Sequence, residues 1–139
     1  MTGERRADYM LIFDGGSLGN PGPGYGSYVL IRHRDGRRQI RRLNFREEMT
    51  NNEAEYRALI GALEDLLKMV RSAGCPPSDL SIEVKGDSQL ILHQVAGTWK
   101  TRQPHLMPLC DRVRELLGQF DAFTLTWQAR GQSEDALGH

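Results

Sequence analysis

The sequence predicts an α/β protein built on a mixed β-sheet, in which a meander of antiparallel strands comes before parallel strands. Three short strand-like segments precede the first strong amphipathic helix, and the turn pair Asp35-Gly36 joins the second to the third. After that helix, strand and helix signals alternate, which is typical of parallel strands joined by helical crossovers. The 139 residues are 39% hydrophobic and 26% charged, so one domain with its own core is expected.

The first half of the chain is predicted to contain three strands. Tyr9–Phe13 is an unbroken apolar run, typical of a strand buried on both faces. Six glycines and two prolines lie within Gly15–Gly26, which is therefore expected to form a loop without regular structure. Tyr28–His33 and Gln39–Arg46 follow as the two strands of a hairpin.

The strongest helix follows this hairpin. Thr50 and Glu53 have the spacing of a capping box, so the helix is expected to begin near Asn51. Gly74 is expected to end it. Its apolar residues recur at steps of three and four and form one stripe: Ala58, Leu59, Ala62, Leu63, Leu66, Leu67 and Val70.

The second half alternates strands and helices. Leu80–Lys85 is predicted to be a strand, and Asp87 or Ser88 to cap a helix that ends near Val95. The remaining elements are a helix around residues 106–117, a strand around 123–127 and a last helix of barely two turns within 133–139.

The composition argues against several classes of protein. No apolar run approaches the roughly 18 residues that a membrane span needs, and the N-terminus has no signal-peptide pattern. Cys75 and Cys110 do not make a disulfide framework, so a reduced, cytoplasmic protein is expected. The 18 basic residues balance the 18 acidic ones, which weighs against nucleic-acid binding by bulk charge.

The charge is unevenly distributed, however. Between Arg32 and Arg46 the only acid is Asp35. Two interpretations remain open: a solvated hairpin whose charges discourage pairing between sheet edges, or a patch that faces phosphates. The arginines of this segment are Arg32, Arg34, Arg37, Arg38, Arg41, Arg42 and Arg46.

Four acids are candidates for a site. Asp14 and Asp87 each follow a predicted strand, and if those strands are parallel neighbours both carboxylates emerge at one edge of the sheet. Glu55 shares the helix stripe that faces the sheet, and Asp135 follows the fifth strand by a short loop.

Each acid also has a local explanation, as a turn residue, a helix cap or a partner of the helix dipole. Acids that converge would repel one another unless a divalent cation lay among them. Oxygen ligands without His or Cys favour Mg²⁺ or Mn²⁺ over zinc. The glycine-rich segment leads into a strand rather than a helix, so it is not interpreted as a nucleotide-binding loop.

Three motifs follow one another along the chain: Asp14-Gly15-Gly16-Ser17 with Gly19-Asn20-Pro21-Gly22-Pro23-Gly24, then Thr50-Asn51-Asn52-Glu53-Ala54-Glu55, then Gly86-Asp87-Ser88-Gln89. Together they resemble type 1 ribonuclease H, and the resemblance extends over residues 8–137. It implies the ribonuclease H fold, with strand order 3-2-1-4-5, strand 2 antiparallel and helices on both faces. It also implies hydrolysis of the RNA strand of RNA/DNA hybrids, leaving 5′-phosphate and 3′-hydroxyl ends.

The resemblance implies two Mg²⁺ ions bound with the substrate, with Mn²⁺ able to substitute. Asp14 would bridge both ions, Glu55 and Asp87 would hold the ion that activates water, and Asp135 the other. The C-terminal segment is shorter than the family pattern and carries Glu134 where alanine is usual. Asp135 matches better by its spacing to Leu137, and Glu134 remains the alternative.

Other features of the family pattern are absent. The loop after the fifth strand has Arg130 where many members have a mobile histidine, and we expect this arginine to act in product release. We expect a compact member with modest substrate affinity, without the basic helical insertion of some bacterial members and without an N-terminal hybrid-binding domain. The expected protein is one catalytic domain spanning 1–139, with a flexible segment 1–7, monomeric and without a protein partner.

The resemblance also assigns substrate contacts. The amides would line the minor groove of the hybrid, where 2′-hydroxyl groups distinguish RNA from DNA. These amides belong to Asn20, Asn51, Asn52 and Gln89. Thr50 would face a DNA phosphate. Trp99, Lys100 and Arg102 would bind the DNA strand, although packing explains Trp99 about equally well.

Two alternative functions remain open at this stage. One is a hybrid-binding module with an inactive site, and the other is a nuclease of the same fold that acts on a different nucleic acid, such as double-stranded RNA. Cleavage of hybrid, duplex RNA and duplex DNA, with Mg²⁺ and with chelator, separates the three.

Overall fold

The computed structural model describes residues 6–137, and for residues 133–136 it describes the backbone alone. The expectation of a flexible N-terminus falls mainly on residues 1–5, which lie outside the described residues. A short 3₁₀ turn, Pro77–Asp79, precedes the fourth strand. The elements are β1 (Tyr9–Ser17), β2 (Gly22–Arg32), β3 (Arg38–Met49), α1 (Asn51–Ser72), β4 (Ser81–Gly86), α2 (Gln89–Ala96), α3 (Met107–Leu117), β5 (Ala122–Trp127) and α4 (Arg130–Leu137).

The five strands form one sheet in the order β3-β2-β1-β4-β5. β2 runs antiparallel to both of its neighbours, whereas β1, β4 and β5 run parallel to one another. The predicted fold class and strand order are therefore confirmed.

The glycine-rich segment differs from its prediction, because most of it is strand rather than loop. β1 continues to Ser17 and β2 begins at Gly22, so the irregular connection is confined to residues 18–21. The glycines are there because the packing leaves no room for side chains. A Cβ on Gly22 would overlap the backbone carbonyl oxygen of Leu18, and one on Gly26 would lie 2.9 Å from the Cβ of Ala58.

Two other boundaries also differ from the prediction. β3 extends over Arg38–Met49 rather than 39–46, because it pairs with β2 along most of its length. α4 begins at Arg130, earlier than the predicted 133.

α1 carries the main core on one face of the sheet. Its start at Asn51 and the capping box between Thr50 and Glu53 are as predicted, with both reciprocal hydrogen bonds formed. No helix in the described part of the chain is both long and apolar enough to span a membrane.

Helices lie on both faces of the sheet, as predicted. Leu11 and Phe13 of β1 pack into the α1 core. Ile12 lies between them in β1 and points to the opposite face, where it forms a second cluster with Val29 and with Leu137 of α4.

Candidate active site

Asp14 and Asp87 are brought together by the register of the two central parallel strands. The β1–β4 ladder ends at the pair Ile12 and Lys85, and each acid lies two residues beyond its own strand's last paired residue. Asp14 lies within β1, paired with Ser27 of β2, and not at the end of the strand as expected. The parallel strands therefore diverge at the two carboxylates, while β1 remains anchored to β2.

Glu55 reaches the same place because α1 approaches the backbone of β1 very closely. A Cβ on Gly15 would lie 2.6 Å from the carbonyl carbon and oxygen of Ala54 and 2.7 Å from the nitrogen of Glu55. Such contacts are impossible for any residue with a side chain. Because Gly15 has no side chain, α1 packs close to β1, and this closeness determines how far Glu55 extends into the site.

Asp87 is held between β4 and α2. Ser88 caps α2 by accepting a hydrogen bond from the backbone amide of Ile91, 3.3 Å away. The indole Nε1 of Trp127 donates to the carbonyl oxygen of Asp87 over 3.1 Å. The backbone of Asp87 is thus fixed from two sides.

The three carboxylates form one cluster. One oxygen from each of Asp14, Glu55 and Asp87 lies within 4.8 Å of the others. Asp14 is buried, with 5% of its surface exposed. Oδ2 of Asp87 is also buried and receives no hydrogen bond from any described residue.

The cluster makes ionisation costly. Burial, and then the charges of Asp87 and Asp14, raise the pKa of Glu55 from its ordinary 4.5 to about 8. A carboxyl group whose pKa is raised lies where its ionised form is not stabilised by nearby positive charge. A cation among the three oxygens would favour the ionised form and so oppose the shift in pKa.

The residues present suit a hard divalent cation. They offer carboxylate oxygens, one of which is buried without a donor, and the cluster contains no His or Cys among the described residues. Oxygen-only sites of this kind bind Mg²⁺ or Mn²⁺ rather than zinc.

The C-terminal candidates are only partly described. The side chains of Glu134 and Asp135 lie outside the described residues, so the structure does not choose between them. Arg130 is the first residue of α4 and is exposed. Leu137 is fully buried and packs against β1 and β2, which anchors α4 beside the carboxylate strand.

The amides of the glycine loop and α1 are joined to each other. Oδ1 of Asn51 accepts hydrogen bonds from the amide and hydroxyl of Ser17, at 2.9 and 3.0 Å. Oδ1 of Asn20 accepts one from the backbone nitrogen of Asn51, at 3.1 Å. These contacts hold the loop against the start of α1, and no described residue accepts a hydrogen bond from either amide NH₂ group.

Other sequence-predicted substrate residues lie near the helix starts or after α2. Asn52 is in the first turn of α1 and is half-buried, and Gln89 is the exposed first residue of α2. The hydroxyl of Thr50 is engaged in the capping box. Lys100 and Arg102 are exposed in the connection between α2 and α3.

Trp99 is stacked and still accessible. Its ring lies on that of His93, with centroids 4.2 Å apart and planes 17° from parallel, and 45% of its surface is exposed. Both explanations given for it from the sequence, packing and ligand contact, are compatible with this position.

Sequence reasoning assigned no individual role to two residues that shape the site, although Gly15 stands within the first motif. Gly15 and Trp127 carry no reactive group, so a search for chemistry passes over them. Their signals are positional, because Gly15 directly follows Asp14 and Trp127 pairs with Gly86 at the end of the β4–β5 ladder.

A mixed sheet of this order, with three carboxylates where β1 and β4 diverge, defines a ribonuclease H-like protein. The sequence pattern of the reverse transcriptase-like family matches residues 12–137. The chain therefore belongs to that family, and its resemblance to type 1 ribonuclease H is confirmed.

Individual relatives agree with this assignment. Ribonuclease HI of Halobacterium salinarum is 40% identical over 129 residues, which is 91% of this chain and 60% of that relative's length. The crystal structure of RNase H1 from this archaeon superposes with a TM-score of 0.73 at 39% identity, covering 93% of this chain and 92% of that one. LC11-RNase H1, solved in complex with an RNA/DNA hybrid, superposes with a TM-score of 0.76 at 28% identity, covering 93% and 92%.

Proposed function

We propose that this protein hydrolyses the RNA strand of RNA/DNA hybrids with the help of divalent metal ions. The observation that carries the proposal is the convergence of Asp14, Glu55 and Asp87 within 4.8 Å, with a buried oxygen that no described residue satisfies. The similarity to Ribonuclease HI and to a hybrid-bound RNase H1 supports the reaction and the substrate.

Mg²⁺ is the proposed cofactor, as two ions with the substrate, and Mn²⁺ should substitute. Asp14, Glu55 and Asp87 would hold the metal, with Asp135 as the fourth ligand and Glu134 as its alternative. When bound, such ions activate a water for in-line attack and stabilise the leaving oxygen, which yields 5′-phosphate and 3′-hydroxyl ends.

The protein's own contribution is to hold these groups before substrate arrives. Asp14 lies in a strand that is paired with β2, and the close packing of α1 on β1 fixes the position of Glu55. The backbone of Asp87 is held by its hydrogen bond from Trp127. Carboxylates held in place in this way need no reorganisation when charge develops during the reaction.

Recognition of the substrate is proposed for the residues around this cluster. Amide groups would contact 2′-hydroxyl groups in the wide minor groove, which tells RNA from DNA. These amide groups are those of Asn20, Asn51, Asn52 and Gln89. The side chains of Thr50, Trp99, Lys100 and Arg102 would contact the DNA strand. Arg130 would assist product release.

A cleavage assay on three duplexes of one sequence tests the proposal. We expect Mg²⁺-dependent cutting of RNA in the hybrid only, with activity lost in excess chelator. Asp14→Asn should reduce the rate more than tenfold, which corresponds to about 1.4 kcal/mol, whereas the exposed Asp79→Asn serves as a control that loses the same charge elsewhere.

Three results would contradict the proposal. Equal activity in chelator would exclude the metal-dependent reaction. Preferential cutting of double-stranded RNA would show that the hybrid is not the preferred substrate. Equal cleavage rates for Asp14→Asn and Asp79→Asn would show that Asp14 is not part of the catalytic site.

A further inference from the structure

The arginine-rich hairpin does more than line the edge of the sheet, because its side chains surround a groove. A groove of about 570 Å³ lies between the β2–β3 hairpin and the C-terminal half of α1. Its cationic side chains, which define what we call the basic groove, are Arg32, Arg37, Arg38, Arg41 and Lys68.

The nearby carboxylates are already engaged. Asp65, the one acid that lines the groove, accepts hydrogen bonds from the hydroxyl of Tyr28 at 2.8 Å and from Nε of Arg41 at 3.2 Å. Asp35 binds Arg32 through both oxygens, at 3.0 and 2.6 Å. Neither acid is within ion-pair distance of Arg37 or Lys68 in the described structure. The groove therefore keeps a surplus of positive charge.

Protection of a sheet edge does not account for this arrangement. β3 is the edge strand, and charges on it would be enough to discourage pairing with another sheet. The groove also receives Arg32 from β2 and Lys68 from α1, neither of which lies on the edge. Since the whole chain has no net charge, this concentration is local rather than a result of general basicity.

We propose that the basic groove binds the phosphodiester backbone of a nucleic acid, at a position separate from the carboxylate cluster. This rests on the proposed function, which brings nucleic acid to the protein. Glu55 and Lys68 are thirteen residues apart on α1, so the groove lies about 20 Å from the cluster, or about six base pairs of duplex.

The chemistry of the groove favours nucleic acid over an acidic protein. Guanidinium groups match phosphate oxygens in pairs, and arginine is the residue that most often serves this purpose. Protein interfaces depend on aromatic or apolar anchors. Among the described residues, none of the exposed large hydrophobic side chains lines this groove.

The salt dependence of binding tests the proposal. The double variant Arg37→Gln/Lys68→Gln removes two charges from the groove, and Arg71→Gln/Arg112→Gln removes two charges from outside it. Binding of a 20-base-pair hybrid is measured by fluorescence anisotropy in chelator, between 50 and 200 mM salt. If both groove cations contact phosphates, the affinity lost over this range should be about 12-fold smaller for the groove variant than for wild type, and unchanged for the control.

Stoichiometry distinguishes the two sources of phosphate. One hybrid per protein at saturation means that the far end of the substrate duplex fills the groove, and two mean that a separate nucleic acid fills it. An unchanged salt dependence would overturn the proposal. If the groove variant then also self-associates, edge protection explains the arginines; if it does not, an acidic protein partner becomes the explanation to test.

Failure of this inference is distinguishable from failure of the proposed function. The groove variant should keep the wild-type turnover number at saturating hybrid, because the groove is remote from the carboxylates. Cleavage by wild type with no change in salt dependence would refute the groove alone. A changed salt dependence without cleavage by wild type would refute the proposed function alone.

Discussion

Gly15 provides a sharp test of how the site is built, because replacing it by alanine adds one methyl group where none fits. The added Cβ would lie 2.6 Å from the backbone of Ala54 and 2.7 Å from the nitrogen of Glu55. Both neighbours are helix backbone, which cannot rotate away as a flexible side chain can. α1 must therefore move away from β1.

The size of the effect follows from these distances. Ordinary carbon contacts begin at about 3.5 Å, so α1 must retreat by roughly 0.9 Å at this point. Overpacking of this kind costs about 1–3 kcal/mol in the free energy of unfolding. Glu55 moves with the helix, and a displacement of about 1 Å at a catalytic group can reduce the rate about 100-fold.

Gly61→Ala is the matched control on the same helix. Its Cβ would meet Leu43 at 3.5 Å and Tyr28 at 3.9 Å, which are ordinary contacts. Because glycine disfavours a helix interior, Gly61→Ala should stabilise the protein by about 0.5–1 kcal/mol and leave the rate unchanged. Urea unfolding and hybrid cleavage measure both effects. If Gly15→Ala matches Gly61→Ala in stability and rate, the close approach of α1 does not position Glu55.

Three further predictions concern the carboxylates. Above pH 8, where Glu55 is ionised, Asp87→Asn should raise the melting temperature of the metal-free protein, because it removes one of three repelling charges, and it should abolish the stabilisation that Mg²⁺ gives to wild type; a lower melting temperature in chelator would contradict this. Because the pKa of Glu55 is raised to about 8, the native protein binds one more proton than the unfolded chain between pH 4.5 and 8. The stability of the metal-free protein should therefore fall as pH rises through this window, and Glu55→Gln should lessen the fall. Urea unfolding at pH 5 and pH 8 checks both expectations. Asp135→Asn should reduce hybrid cleavage strongly and Glu134→Gln should not, since adjacent helical side chains diverge by about 100° and only one can face the metal; the reverse result would assign Glu134.

Local signals in the sequence were enough where one segment determines its own structure. The start of α1 followed from Thr50 and Glu53, because a capping box forms within four residues and needs no tertiary partner. For α2 the sequence left Asp87 and Ser88 as alternative caps, and Ser88 is the residue that caps the helix.

The glycine-rich segment shows where local signals fail. Glycine disfavours a strand on entropic grounds, so a cluster of glycines predicts a loop. Here Gly15 and Gly26 face each other in the β1–β2 ladder, and their missing side chains admit the backbone of α1 and the side chains of Ala58 and Phe45. Contacts between residues far apart in sequence thus outweigh the local preference, and no window of the sequence contains them.

The carboxylate site combines both situations. Asp14 and Asp87 could be paired from sequence, because parallel neighbouring strands carry matching ends to one edge, and a shift of one residue would turn one acid to the other face. The depth of Glu55 could not be derived in this way, since it depends on how closely α1 approaches β1. That closeness buries Glu55 and places it beside the charges of Asp87 and Asp14, and both effects raise its pKa. The packing contact at Gly15, together with the charges of the acids, therefore sets how strongly the site needs a cation.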